Sequence, residues 1–103
     1  MKIMELIKTC CACPSQWEGI IKDEGLVYIR YRHGRLTINF TEHGIDAVLG
    51  EEIFRKYIGH ELDGLLTNEE LQEILKDEYK IIFMEEKKWN TIILIMKKVY
   101  QNY

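Results

Sequence analysis

Leu26-Val27-Tyr28-Ile29-Arg30-Tyr31-Arg32-His33-Gly34-Arg35-Leu36-Thr37-Ile38-Asn39-Phe40 carries the pattern on which the fold turns. Before His33, the side chains Val27, Ile29 and Tyr31 alternate with Tyr28, Arg30 and Arg32. After Gly34, Leu36, Ile38 and Phe40 alternate with Arg35, Thr37 and Asn39. A period of two sends each set to its own face of a strand. His33-Gly34 suits a type I′ turn, which needs positive φ at both central residues. The stretch therefore predicts a hairpin with an apolar inner face and a cationic outer one. Upstream, Trp17-Glu18-Gly19-Ile20-Ile21 adds a third strand through Lys22-Asp23-Glu24-Gly25, which gives an antiparallel meander.

Beyond Phe40 the period changes. Ile53, Phe54, Tyr57 and Ile58 fall at i, i+1, i+4 and i+5, and Glu51 to Arg55 and Glu52 to Lys56 are i, i+4 pairs in the favourable order, with Gly59 behind them. That spacing predicts a short helix over 51–58. A second helix, over 68–77, has fuller start signals. Thr67 and Glu70 make a capping box, Leu66 and Leu71 a hydrophobic staple, and Leu71, Ile74 and Leu75 the buried stripe. Tyr79-Lys80-Ile81-Ile82-Phe83-Met84 reads as a strand. Residues 90–101 fit either a strand centred on Ile92 to Met96 or a helix capped by Asn90, and both readings stay open.

The chain has 103 residues, 47% hydrophobic and 30% charged, with a net charge of -3. One compact domain over 1–103 is expected, large enough to fold without a metal or disulfide staple. Disordered and fibrous classes are disfavoured by this composition. The first eight residues lack the apolar core of a signal peptide, and the run Ile92 to Met96 is far short of the roughly 20 residues that span a bilayer. Three cysteines within 10–13 do not suit a disulfide scaffold. A cytoplasmic protein with no membrane association is the expectation. Charge is segregated: residues 42–78 hold 11 acidic and 3 basic side chains, whereas the hairpin carries Arg30, Arg32 and Arg35 and no acid.

The outward hairpin face is the first candidate site. Arg30, Arg32 and Arg35 offer paired donors to phosphate or carboxylate, and Trp17 and Tyr28 offer flat rings beside them. The competing reading is a solvated strand face whose arginines pair with acids such as Glu18 or those of the helices. Cys10 and Cys13 have the C-x-x-C spacing of a zinc ligand pair, with His33 and His43 downstream, but no second close pair follows. Residues 59–70 place Glu61, Asp63, Gly64 and Glu70 at calcium-loop positions, yet Gly59 stands where the loop needs Asp. There is no nucleophile elbow, glycine-rich phosphate loop or H-E-x-x-H, so no enzyme is expected and no cofactor is implied.

Cys13-Pro14-Ser15-Gln16-Trp17-Glu18-Gly19, Tyr28-Ile29-Arg30-Tyr31-Arg32-His33-Gly34 and Asp63-Gly64-Leu65-Leu66-Thr67 together resemble a scattered set of small uncharacterised proteins from bacteria and their phages. The resemblance covers residues 10–72. It implies that 14–19 and 28–34 form one unit, with Trp17 packed on the hairpin or exposed beside the arginines, and it carries no functional residue over.

The fold expected is α+β: an antiparallel meander of three or more strands packed with one or two short helices. Its core is Val27, Ile29, Tyr31, Leu36, Ile38, Phe40, Ile53, Phe54, Leu71, Ile74 and Leu75. The function expected is a small non-enzymatic binding module for another protein, as a bacterial or phage accessory factor. It would work through the arginine face or the acidic helical one. The alternative is nucleotide or nucleic-acid binding through the arginine and aromatic hairpin face. An exposed meander edge also admits a homodimer.

Overall fold

The computed structural model describes residues 1–10, 15–42, 47, 50–60 and 63–84. Among them, one sheet contains β1 (Lys2–Cys10), β2 (Ser15–Ile21), β3 (Gly25–Arg32), β4 (Arg35–Thr41), β5 (Glu51–Tyr57) and β6 (Tyr79–Phe83), with helix α1 (Asn68–Leu75) before β6. The strand order is β5-β4-β3-β2-β1-β6. The first five strands are an antiparallel meander in chain order. β6 returns to the far edge and pairs with β1 in parallel, Met4 opposite Ile81 and Leu6 opposite Phe83. The class is α+β, but the sheet is mixed rather than purely antiparallel. A chain leaving β5 must cross the whole sheet to reach β1, and a crossover that carries a helix delivers the next strand in parallel.

The hairpin forms as its alternation predicts. His33 and Gly34 have φ of 56° and 72°, and Tyr31 pairs with Leu36, Ile29 with Ile38 and Val27 with Phe40. Those residues face α1 together with Met4, Leu6, Trp17 and Ile81, and Leu66, Leu71 and Leu75 close the core from the other side. The capping box of α1 is complete: Thr67 Oγ1 accepts from the Glu70 backbone N–H at 3.1 Å, and Glu70 Oε1 accepts from the Thr67 N–H at 3.1 Å.

The segment predicted as a helix over 51–58 is strand β5. Its i, i+4 charge pairs do not form; Glu52 instead binds Arg55. An isolated helix of that length is marginal, whereas extended pairing covers the otherwise bare edge of β4 and lays Phe54 against Ile38. The core assignments move accordingly. Ile53 is 41% exposed, and Phe40, Phe54 and Ile74 only flank the buried cluster. Strand β1 is an addition to the sequence reading, and so is its use as the partner of β6. Residues 90–101 lie outside the described residues.

The crossover from β5 to α1 is fastened to the sheet by polar bonds. Gly34 accepts from the Ile58 N–H at 2.8 Å and donates to the Asp63 carbonyl at 2.8 Å. A Cβ on Gly34 would collide with the carbonyls of Gly59 and His60, so the turn needs glycine for space as well as for φ. Tyr31 donates its hydroxyl to Asp63 Oδ2 at 2.6 Å, Ser15 Oγ accepts from the Leu66 N–H at 3.0 Å, and Trp17 Nε1 donates to Asn68 Oδ1 at 2.8 Å. Lys8 Nζ, set 5.0 Å from the Trp17 ring centre, donates to the Leu66 carbonyl at 2.6 Å.

Two measurements check this architecture. Leu71→Ala, at a fully buried site, should cost about 2–5 kcal/mol by urea unfolding, while Ile53→Ala, on the outer edge strand, should cost about 0.5 kcal/mol or less. A large Ile53 effect would contradict the position of β5. The Tyr31–Asp63 bond should also shape stability against pH. The Tyr31 hydroxyl holds the Asp63 carboxyl below its usual range, so its contribution is complete above the unfolded pKa of 3.8 and fades as pH falls further. Burial and Asp63 push Tyr31 up to about 12, so on the alkaline side stability is lost as pH rises from 10 through that value. Tyr31→Phe should remove the alkaline loss and shrink the acid one, read as unfolding midpoints across pH.

Candidate functional site

Strand parity decides which side chains reach the outer face of the sheet. In β3, Tyr28 and Arg30 are half-buried and Arg32 is exposed, all opposite in parity to the buried Val27, Ile29 and Tyr31. Arg35 follows on β4, directly across from Arg32, and Arg30 stands across from Thr37. The three guanidiniums expected to share a surface therefore do so.

Trp17 does not join them. It pairs with Ile29 and takes that residue's parity, so its ring is fully buried against α1 on the inner face. Inclusion of Trp17 in the binding face is corrected by register: odd-numbered Trp17 on β2 sits beside odd-numbered Ile29 on β3. Tyr28 is on the outer face, but its ring packs on the small cluster of Ile20, Leu26 and Ala47.

The register also brings in two residues that the helical reading of 51–58 concealed. Arg55 lies across from Thr37, which extends the Arg30 row, and Tyr57 lies across from Arg35, which extends the Arg32 row. Had the segment been read with period two after Phe54, both would have fallen on the arginine face. Arg55 and Arg35 both pull the Tyr57 phenol below its ordinary pKa, Arg55 more strongly. The Tyr57 side chain is 69% exposed and open to a partner.

Charge compensation on this face is uneven. Arg55 is held by Glu52, through Nε at 3.1 Å and Nη2 at 3.0 Å. Other ion pairs join Lys2 to Glu24 and Lys76 to Glu73. Among the described residues, no carboxylate pairs with Arg30, Arg32 or Arg35, and Glu18 is not within ion-pair reach of them. Arg32 and Arg35 are like charges set directly opposite, an arrangement that costs free energy unless an anion intervenes. Arg30 Nε is shielded from solvent and has no acceptor among the described residues. An unsatisfied buried donor of this kind carries a penalty of about 1–3 kcal/mol.

The acidic surface has a different character. A groove of about 400 Å³ is floored by Ile58, Leu66 and Ile74 and rimmed by Glu69, Glu70 and Glu73. Glu70 is engaged in the helix cap and Glu73 with Lys76, so this rim is partly neutralised from within.

The metal candidates find little support in placement. Cys10 is half-buried at the end of β1, while Cys13 and His43 lie outside the described residues, as does Glu61 of the calcium-loop alignment. Asp63 and Glu70 of that alignment are bound to Tyr31 and to the helix cap. Among the described residues no group of three or more His, Cys, Asp or Glu is placed to hold a metal ion, and no helix is long and apolar enough to cross a membrane. Comparison with protein-family models, curated proteins and solved structures finds no match to this chain.

Proposed function

We propose that the protein is a small, non-enzymatic binding module of the cytoplasm that engages an acidic surface or segment of another protein through the outer face of its sheet. The observation that carries this reading is the set Arg30, Arg32 and Arg35 on one face with no carboxylate paired to them among the described residues. Arginine forks match carboxylates in geometry, and their weak hydration keeps the cost of desolvation at an interface low. Tyr57 and the stem of Arg35 add amphipathic area of the kind that anchors protein interfaces. Nucleotide or nucleic-acid binding is the second reading, favoured by the exposed Tyr57 ring beside two guanidiniums. Burial of Trp17 removes the larger stacking platform from it, and the net charge of -3 opposes a long polyanion.

Fluorescence anisotropy with a labelled Glu/Asp-rich peptide and a labelled single-stranded oligonucleotide separates the readings. The peptide should bind more tightly, and Arg32→Glu combined with Arg35→Glu should weaken it by about tenfold or more. Tighter oligonucleotide binding, with a log–log salt slope of about −2 for three phosphate contacts, would favour the second reading instead. Unchanged binding of both probes to the doubly substituted protein would overturn both.

A further inference from the structure

Two register rows meet at one corner of the outer face. One runs Arg30, Thr37, Arg55 and the other Arg32, Arg35, Tyr57. Side chains in one row are about 5 Å apart at Cβ, and diagonal neighbours in adjoining rows about 7–8 Å, within the reach of long side chains. Arg35 and Arg55 are such diagonal neighbours, and Tyr57 lies beside both, so two guanidiniums and a phenol can meet on one small group. Arg35 stands directly across from Tyr57 and Arg55 two residues before it on the same strand face, and both lower the Tyr57 phenol from its ordinary pKa.

The uncompensated charge bears on what such a group would be. Glu52 already offsets Arg55, whereas Arg30, Arg32 and Arg35 have no carboxylate partner among the described residues. At the corner itself the uncompensated charges are Arg32 and Arg35, and a single carboxylate would neutralise only one of the two. A phosphate monoester carries about −1.5 to −2 at neutral pH and has three acceptor oxygens, enough to take forks from more than one arginine. We propose that the corner formed by Arg32, Arg35, Arg55 and Tyr57 is a phosphate-monoester site, its natural ligand a phosphorylated side chain of the partner protein. This rests on the outer face being the working surface, and it adds that the decisive contact is to a dianion. Arg32 and Arg35 lie across the tight turn from each other, and the strand ladder fixes the two backbone positions from which they reach a ligand.

Phenyl phosphate and benzoate, which share a ring and differ in charge and oxygen count, are the probes. Both are titrated into the full chain labelled with nitrogen-15, with the arginine Nε–H resonances observed. The expected result is a saturable shift at Arg35 and Arg55, with phenyl phosphate bound about tenfold or more tightly than benzoate. Its affinity should rise between about pH 5 and 7 as the second phosphate proton leaves, whereas that of benzoate should stay flat. Arg35→Lys keeps the charge but loses the fork, and should weaken phenyl phosphate several-fold. Lys22→Ala, at the opposite end of the sheet, should leave it unchanged, and backbone spectra of each variant report whether it is folded. Equal affinity for the two probes, a flat pH profile for phenyl phosphate, or shifts spread over the lysines without saturation would overturn the site. If the acidic peptide still binds through Arg32 and Arg35 while phenyl phosphate gains no preference, the dianion inference falls and the protein-binding surface stands. If neither probe class responds to these arginines, both fall.

Discussion

The structure depends on how the crossover from β5 to β6 is tied down. Five strands laid in chain order leave the polypeptide at the wrong edge, and the chain reaches β1 by carrying α1 back over the inner face. That path buries Leu66, Leu71 and Leu75, but apolar contact alone does not fix where an irregular segment lies. Direction comes from hydrogen bonds to groups that the sheet already holds rigid: the Gly34 backbone, the Tyr31 hydroxyl, Ser15 and the Trp17 indole. Each of these is shielded, and each would be costly to leave without a partner. The inner face is thus apolar in area and polar at its attachment points.

This division of labour explains the two faces. Because Tyr31 turns inward to hold the crossover, Arg30 and Arg32 on either side of it in sequence must turn outward. Structural and cationic residues are interleaved in one strand, and a shift of one register position would exchange them. The Arg32–Arg35 repulsion is therefore maintained by the same ladder that builds the core. Local electrostatics alone would separate those side chains, and the hydrogen-bonded pairing of β3 with β4 keeps them together.

Much of this was legible in the sequence, and the exceptions have physical causes. Alternation in 26–40 gave the hairpin, its turn and both faces, because one side is buried and the other solvated. Thr67, Glu70 and the flanking leucines located α1 to within two residues at its C-terminal end, since capping is a local interaction. The 51–58 segment misled because Ile53-Phe54 and Tyr57-Ile58 have helical spacing, while its true conformation is set by the edge of β4, a partner distant in sequence. A bulge opposite Ile38 and Asn39 further broke the period of two. Trp17 was misplaced for a related reason: its parity is fixed only by its register against Ile29. Arg55 and Tyr57 were hidden by the same error. β1 has mixed charges along its length and becomes recognisable as a strand only between β2 and β6.

The parallel β1–β6 pair has a consequence in time. Strand β1 precedes β6 in the chain, and the residues that pair, Lys2 with Tyr79 through Leu6 with Phe83, are 77 positions apart. Until the later strand arrives, β1 is, like β5, an open edge of the meander, and contacts of such long sequence separation form slowly. Glu5 and Lys8 on β1 place charge along that waiting edge, a feature that disfavours premature pairing with a neighbouring nascent chain.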